Sequence, residues 1–367
     1  MFSRRAHWSA PENLLTLERR KRDSLLDLTE SNPTRVKLDY PVEALADIYA
    51  RAARAPYDPQ PLGLRSAREA VADHLRCDVE DVILTASTSE AYAFLFKLLT
   101  DPGDAVLTPT PSYPLLEHLA SLELIALRTF PLEFHRRWEL RQAPVDAQTR
   151  AIIVINPNNP TGSFVTRDEQ DAIASHGIPI ISDEVFLDYP LEGSGTTFVR
   201  EDVLTFTLGG LSKSAGLPHY KLGWIRVSGP AAQRREAVNA LELIADNYLS
   251  VSTPVQAALP ELLAIAPQIR GAIQMRTIAN LEQLHRTFAD LPAARVLPVE
   301  GGWSAVIRVP RVMSDEELAL ALLDRGVVIH PGYFFDFDSE GYIVVSLLTP
   351  ADVFAEGTQR IAAMIAR

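Results

Sequence analysis

The sequence predicts an α/β protein: a large, mostly parallel sheet sandwiched by helices, with a smaller α+β part beside it. Three observations carry this. From about residue 65, short apolar runs alternate with amphipathic stretches at helical spacing. The runs are apolar on both faces, as buried parallel strands are. Beyond about residue 230 the texture changes to long helical stretches followed by strand-like pieces.

Taken in order, the first 40 residues lack sheet-like alternation and can pack on either part. "LRSAREAVADHL" (64–75) is amphipathic at helical spacing, and "VILTA" (82–86) is a short β-rich run. "SEAYAFLFKLLTDPGD" (89–104) reads as a helix with Ser89 as N-cap and Pro-Gly closing it. "AVLTP" (105–109), "AIIVI" (151–155), "IPIISD" (178–183) and "VLTFTL" (203–208) are further strands. Strands separated by helices imply a sheet covered on both faces. "AAQRREAVNALELIADNYL" (231–249) and "PQIRGAIQMRTIANLEQLHRTFADL" (267–291) are long helices. "SAVIRVP", "VVIHP" and "YIVVSLL" are strand-like pieces around the helix "SDEELALALLDRG". The expected division is a large domain over 41–252, and a small one made of 1–40 with 253–367.

Composition excludes several classes of function. A net charge of −12 argues against nucleic acid as partner, because phosphate contacts need a basic face. Cys77 is the only cysteine, which rules out an intrachain disulfide framework and a cysteine-rich zinc site. No apolar run approaches the roughly 20 residues that span a bilayer. The opening "MFSRRAHWSAPENLL" has arginines but no apolar segment of the kind found in signal peptides. A soluble, cytoplasmic protein that binds no membrane is expected.

The polar motifs share one location, immediately after a strand. "STSE" follows "VILTA", "PTPSYP" follows "AVLTP", and "NPNNPTG" follows "AIIVI". "SDE" ends the fourth run and "GGLSK" the fifth. In an open α/β sheet the ligand site lies off the carboxyl ends of the strands, so the five loops are expected to converge on one cleft. A lysine in a Gly/Ser loop is by itself an ordinary surface residue; Lys213 stands out because of those neighbours.

"NPNNPTG", "SDEVF" and "SKSAGLPHYKLGW" in this order resemble the fold-type-I pyridoxal phosphate enzymes, specifically the aspartate aminotransferase superfamily. "YDPQPLGLRSAREAVADHL", "DPGDAVLTPTPSYP" and "GVVIHPGYFF" extend the resemblance over roughly residues 30 to 365. It implies the fold of that superfamily, with pyridoxal 5'-phosphate bound to Lys213 as a Schiff base and Lys213 then moving the substrate proton. It places Asp183 against the pyridine nitrogen, keeping the ring an electron sink. Asn159 would donate to the ring phenolate oxygen and meet the substrate, and Tyr113 would stack on the ring. Backbone amides of Thr88 and Ser89 would bind the phosphate at a helix start. Ser212 would add a hydroxyl, Lys221 a charge, and Tyr57 a contact from the neighbouring subunit of a homodimer with active sites at its interface. Asn32 falls near a position whose backbone meets the substrate carboxylate.

Four positions depart from the pattern of the family it resembles. Gly210 replaces a serine of the phosphate site, and Lys221 replaces an arginine, giving up a bidentate fork. Phe186 replaces a tyrosine beside the ring oxygen, so it lies by the cofactor but cannot donate. Val344 in "GYIVVSLLT" occupies the place of the arginine that holds the substrate α-carboxylate. Arg35 in "ESNPTRVKL" is the nearest candidate to replace it. The expected activity is transfer of an amino group from an amino acid to a 2-oxo acid. A lyase, cyclase or oxidase on the same fold is the alternative that the missing arginine leaves open.

Overall fold

The computed structural model describes residues 2–3, 5, 12–141 and 143–366. Residues 1, 4 and 6–11 of the N-terminal stretch lie outside the described residues. A two-residue strand β1 (Leu26–Asp27) comes first. The large sheet follows, with β2 (Val82–Thr85), β3 (Ala105–Thr110), β4 (Ala126–Phe134) and β5 (Trp138–Leu140). It is completed by β6 (Thr149–Ile155), β7 (Ile180–Asp183), β8 (Thr205–Gly210) and β9 (Gly223–Ser228). The spatial order is β2-β9-β8-β7-β6-β3-β4-β5. All run the same way except β9 and the edge strand β5. Ile152, Ile153, Val154, Ile180, Ile181 and Phe206 are fully buried, which is why these runs read as apolar on both faces.

The C-terminal part holds β10 (Arg295–Val296), β11 (Ser304–Arg308), β13 (His330–Pro331) and β14 (Tyr342–Ser346), antiparallel in the order β10-β11-β14-β13. The remaining strand, β12 (Val327–Val328), pairs in parallel with β1. The N-terminal segment is therefore tied to this part. Ser346 Oγ reinforces the tie by donating to the Glu30 carbonyl at 2.7 Å.

Two helices differ from expectation. The helix after β2 is Thr88–Leu99, and its N-cap is Ser87, whose Oγ accepts the Glu90 N–H at 3.2 Å. Ser89 sits inside the first turn instead, because the residue with extended φ and ψ is Ser87. The helix expected from residue 267 starts earlier and runs Thr253–Phe288, with Pro260 and Pro267 inside it. Leu259, Leu262, Ile269 and Ile273 are each at most 1% exposed. At about 2 kcal/mol apiece, their burial outweighs the roughly 3 kcal/mol that each interior proline costs. This helix serves two cores. Its first half packs with Leu45, Ile48, Val71 and Leu217, and its last turns with Leu318, Val327 and Phe354.

Candidate active site

The five loops do converge. Off the carboxyl ends of β2, β3, β6, β7 and β8 lies one cavity of about 370 Å³. Its wall includes Thr88, Ser89, Tyr113, Asn159, Asp183, Phe186, Gly210, Ser212, Lys213 and Lys221. Thus every residue expected at the cofactor, apart from Tyr57, is at this wall.

Each position has a local cause. Thr88 and Ser89 open their helix, so their amides have no acceptor one turn back and are left for an anion. The Ser304 Oγ donates to Asn159 Oδ1 at 3.3 Å and engages the amide oxygen of this cavity-lining residue. Asp183 is the last residue of β7, and Lys213 lies in the four-residue helix Leu211–Ser214 directly after β8. The Tyr189 hydroxyl donates to the Lys213 carbonyl at 2.6 Å and holds that turn in place. Lys221, which lines the cavity, adopts a left-handed φ of 52°, an uncommon conformation for lysine. Gly210 lacks the expected hydroxyl for a steric reason: a Cβ there would lie 2.9 Å from Gly223 Cα and 3.0 Å from the Leu222 carbonyl oxygen.

The electrostatics suit a proton-transfer site. Burial pushes the Asp183 carboxyl up to about 6, against hydrogen bonds from the Val185 N–H and the Tyr92 hydroxyl and the charge of Lys213, which lower it. Burial brings the Lys213 ammonium down to about 8, and Asp183 opposes the fall. Near pH 7 an ionised carboxylate therefore faces a lysine close to its titration point. The neighbouring Glu184 plays no part here. It is buried away from the cavity and accepts from Phe198 N–H, Thr197 Oγ1 and Ser182 Oγ at 2.6, 2.7 and 2.9 Å.

Sequence reasoning missed three aromatic residues. Trp303, just before β11, sets its ring 4.9 Å from Lys213 Nζ and edge-on to Phe186 and Tyr189, at 5.2 and 5.0 Å. Tyr92 donates to Asp183 Oδ2 at 3.1 Å. Trp303 precedes β11, Tyr92 lies inside a helix, and Tyr189 stands six residues beyond the end of β7, so the residues directly at the strand ends did not point to them.

The structure leaves three candidates outside the cavity. Ser31 lines it, but Asn32 and Arg35 do not. Asn32 caps the turn Pro33–Arg35, accepting the Thr34 N–H at 3.1 Å. Arg35 is exposed, and its side chain has no hydrogen bond or ion pair among the described residues. Tyr57 is 73% exposed and lines a separate shallow pocket with Ser250. Val344 is 1% exposed and packs in an apolar cluster with Leu132, Trp138, Val306 and Phe335. The cavity-lining cations among the described residues are Lys213 and Lys221.

The chain matches the family "Aminotransferase class I and II" over residues 23–355. It belongs to that family. Among relatives, it is 25% identical to the glutamate-pyruvate aminotransferase AlaA of Haemophilus influenzae, covering 93% of this chain and 90% of that protein. It is 33% identical to nicotianamine aminotransferase 1 of Oryza sativa over 56% of this chain, a match that spans 45% of the plant protein. The fold is that of the alanine aminotransferase of Pyrococcus furiosus, with TM-score 0.87 and 23% identity over 100% of this chain and 99% of that one. The tyrosine aminotransferase of Leishmania infantum superposes with TM-score 0.85 at 22% identity, over 98% and 99% of the two chains. Class I and II aminotransferases depend on pyridoxal 5'-phosphate. The residues present fit that group: a buried lysine near neutrality, a buried carboxylate, and free amides at a helix start line one cavity.

Proposed function

We propose that the protein is a pyridoxal phosphate-dependent aminotransferase that moves an amino group from an amino acid to a 2-oxo acid. The observation that carries this is the pairing of Lys213 with Asp183 across one cavity, with Asn159 and the Thr88 and Ser89 amides around them. When bound, the cofactor supplies an electron sink for the carbanion formed on losing the substrate α-proton. Lys213 would hold the cofactor and would carry the substrate α-proton. Its amine titrates close enough to neutrality to act as both base and acid. Asp183 would hold a proton at the ring nitrogen. Asn159 would donate to the ring oxygen and to the substrate. Thr88, Ser89, Ser212 and Lys221 would hold the phosphate, and Tyr113 would pack on the ring.

The reading includes a homodimer in which Tyr57 reaches the partner's phosphate site. Its exposure, and that of Tyr248 and Leu249 nearby, supports an apolar contact surface there. A cytoplasmic location is part of the same reading. Among the described residues no helix is long and apolar enough to cross a membrane.

The test is a single-turnover assay with candidate amino acids and no acceptor. A transaminase releases about one equivalent of 2-oxo acid per active site and stops. Continued release would refute the reading in favour of a lyase or oxidase. That second reading is favoured by one observation: Val344 is buried in an apolar cluster, and the cavity-lining cations among the described residues are Lys213 and Lys221, both assigned to the cofactor.

A further inference from the structure

We propose that Tyr92 is a positioning residue for Asp183, and that one helix thereby sets both ends of the cofactor site. This rests on the reading that the cavity holds pyridoxal phosphate.

Tyr92 stands on the helix Thr88–Leu99, one turn in from its start. It is 3% exposed, and among the described residues its hydroxyl has one partner, Asp183 Oδ2 at 3.1 Å. Its ring packs beside Phe96, with centroids 6.0 Å apart. The other carboxylate oxygen, Oδ1, accepts the Val185 N–H at 3.2 Å. Among the described residues each oxygen of Asp183 thus has one protein donor, which fixes the plane of the carboxylate. Burial and the facing carboxylate push the Tyr92 phenol well above its ordinary value, so it remains a donor at any working pH. The other groups facing Asp183 are Lys213, after β8, and Tyr113, after β3.

A donor aimed at a carboxylate favours its ionised form, and here it works against burial, which favours the neutral one. The helix that supplies this donor also presents the Thr88 and Ser89 amides. An α-helix has a fixed rise of about 1.5 Å per residue. The distance between the phosphate amides and the donor to Asp183 is therefore set by a rigid body, and not by two independent loops.

The experiment measures binding of 4'-deoxypyridoxine 5'-phosphate to the apoprotein across about pH 4.5 to about pH 8. This analogue has the ring nitrogen and the phosphate but no aldehyde, so it cannot bond to Lys213. Its own titrations are common to every variant compared. In the wild-type protein, affinity rises as Asp183 ionises, near pH 6. In Tyr92→Phe the midpoint moves up by about one pH unit, a loss of about fivefold in affinity at pH 6 that approaches about tenfold by pH 5, and the high-pH affinity stays within about threefold. In an Asp183→Asn background, Tyr92→Phe has no further effect. Should the Phe variant not fold, p-aminophenylalanine at position 92 keeps the ring and a weaker donor, and the midpoint shifts up by less. An unshifted midpoint, weaker binding by the same factor at all pH, or an effect that persists with Asp183→Asn would overturn the proposal. If the wild-type protein does not bind the analogue at all, the cofactor reading falls, and this inference with it.

Discussion

Lys213 must be a neutral amine to attack an aldehyde, so its depressed pKa should be readable in the kinetics of cofactor uptake. Burial among Phe186, Trp303 and the loop after β8 brings it from the ordinary 10.5 down to about 8. At pH 7 an amine of pKa 8 is about one-tenth neutral, while one of 10.5 is about three parts in ten thousand neutral. The ratio is about 300-fold. The assay mixes apoprotein with pyridoxal 5'-phosphate, quenches with borohydride, and follows label on Lys213 by mass spectrometry. Rates are divided by those of N-acetyl-lysine methyl ester to remove the titration of the aldehyde. Below pH 8 the normalised rate should exceed that of the model amine by about two orders of magnitude. The advantage should shrink between pH 8 and 10.5 as the model amine deprotonates. Asp183→Asn removes the charge that holds the pKa up, so its midpoint should fall below 8. A normalised rate that is flat with pH and close to unity would refute the burial argument, and label on another lysine would remove Lys213 from its role.

Replacing Lys213 with Met should raise the melting temperature of the apoprotein below pH 8. The native amine is depressed, so the unfolded chain holds more protons between pH 8 and 10.5, and the gain should disappear as pH rises through that window. Phe186→Tyr supplies a donor to the ring oxygen, and the pH midpoint of the bound cofactor's absorbance should fall; an unchanged midpoint would place Phe186 away from that oxygen. Arg35→Ala tests whether this exposed arginine swings to the substrate carboxylate. KM for amino acid donors should rise at least about tenfold with cofactor absorbance intact, and unaltered donor kinetics would discard the idea. Val344→Arg should not restore an anchor. Its charge would lie among Leu132, Trp138, Val306 and Phe335 and cost at least about 3 kcal/mol in chemical denaturation; a stable variant with lowered KM would contradict this.

The cavity was legible because strand ends announce themselves. Runs such as "AIIVI" are apolar on both faces, and the polar residue that ends each one marks where the sheet meets solvent or ligand. Asp183, Lys213 and Asn159 could be read in this way. Trp303 and Tyr92 could not, because which aromatic packs against Lys213 or reaches Asp183 depends on tertiary geometry that spacing does not encode. Gly210 read as a missing hydroxyl, and only the approach of Gly223 shows why a side chain is excluded there. Likewise, Pro267 read as the start of a helix because local rules cannot count the apolar contacts that carry the helix back to Thr253.

The helix Thr253–Phe288 has a consequence for how the chain can be made. Val255, Leu259, Leu262 and Ile269 close the interior against which the helices Val42–Ala52 and Arg65–Leu75 rest. On a ribosome the first 252 residues emerge without that cover, and the apolar faces of Leu45, Ile48 and Val71 stay open to water until the helix is synthesised. Residues 295–308, which start the second sheet, follow shortly after it. Covering these faces thus waits on a helix more than 180 residues downstream of Val71, and Trp303 and Leu348 join the same core later still, so the nascent protein passes through a long interval in which it can bind a chaperone or a second unfinished copy.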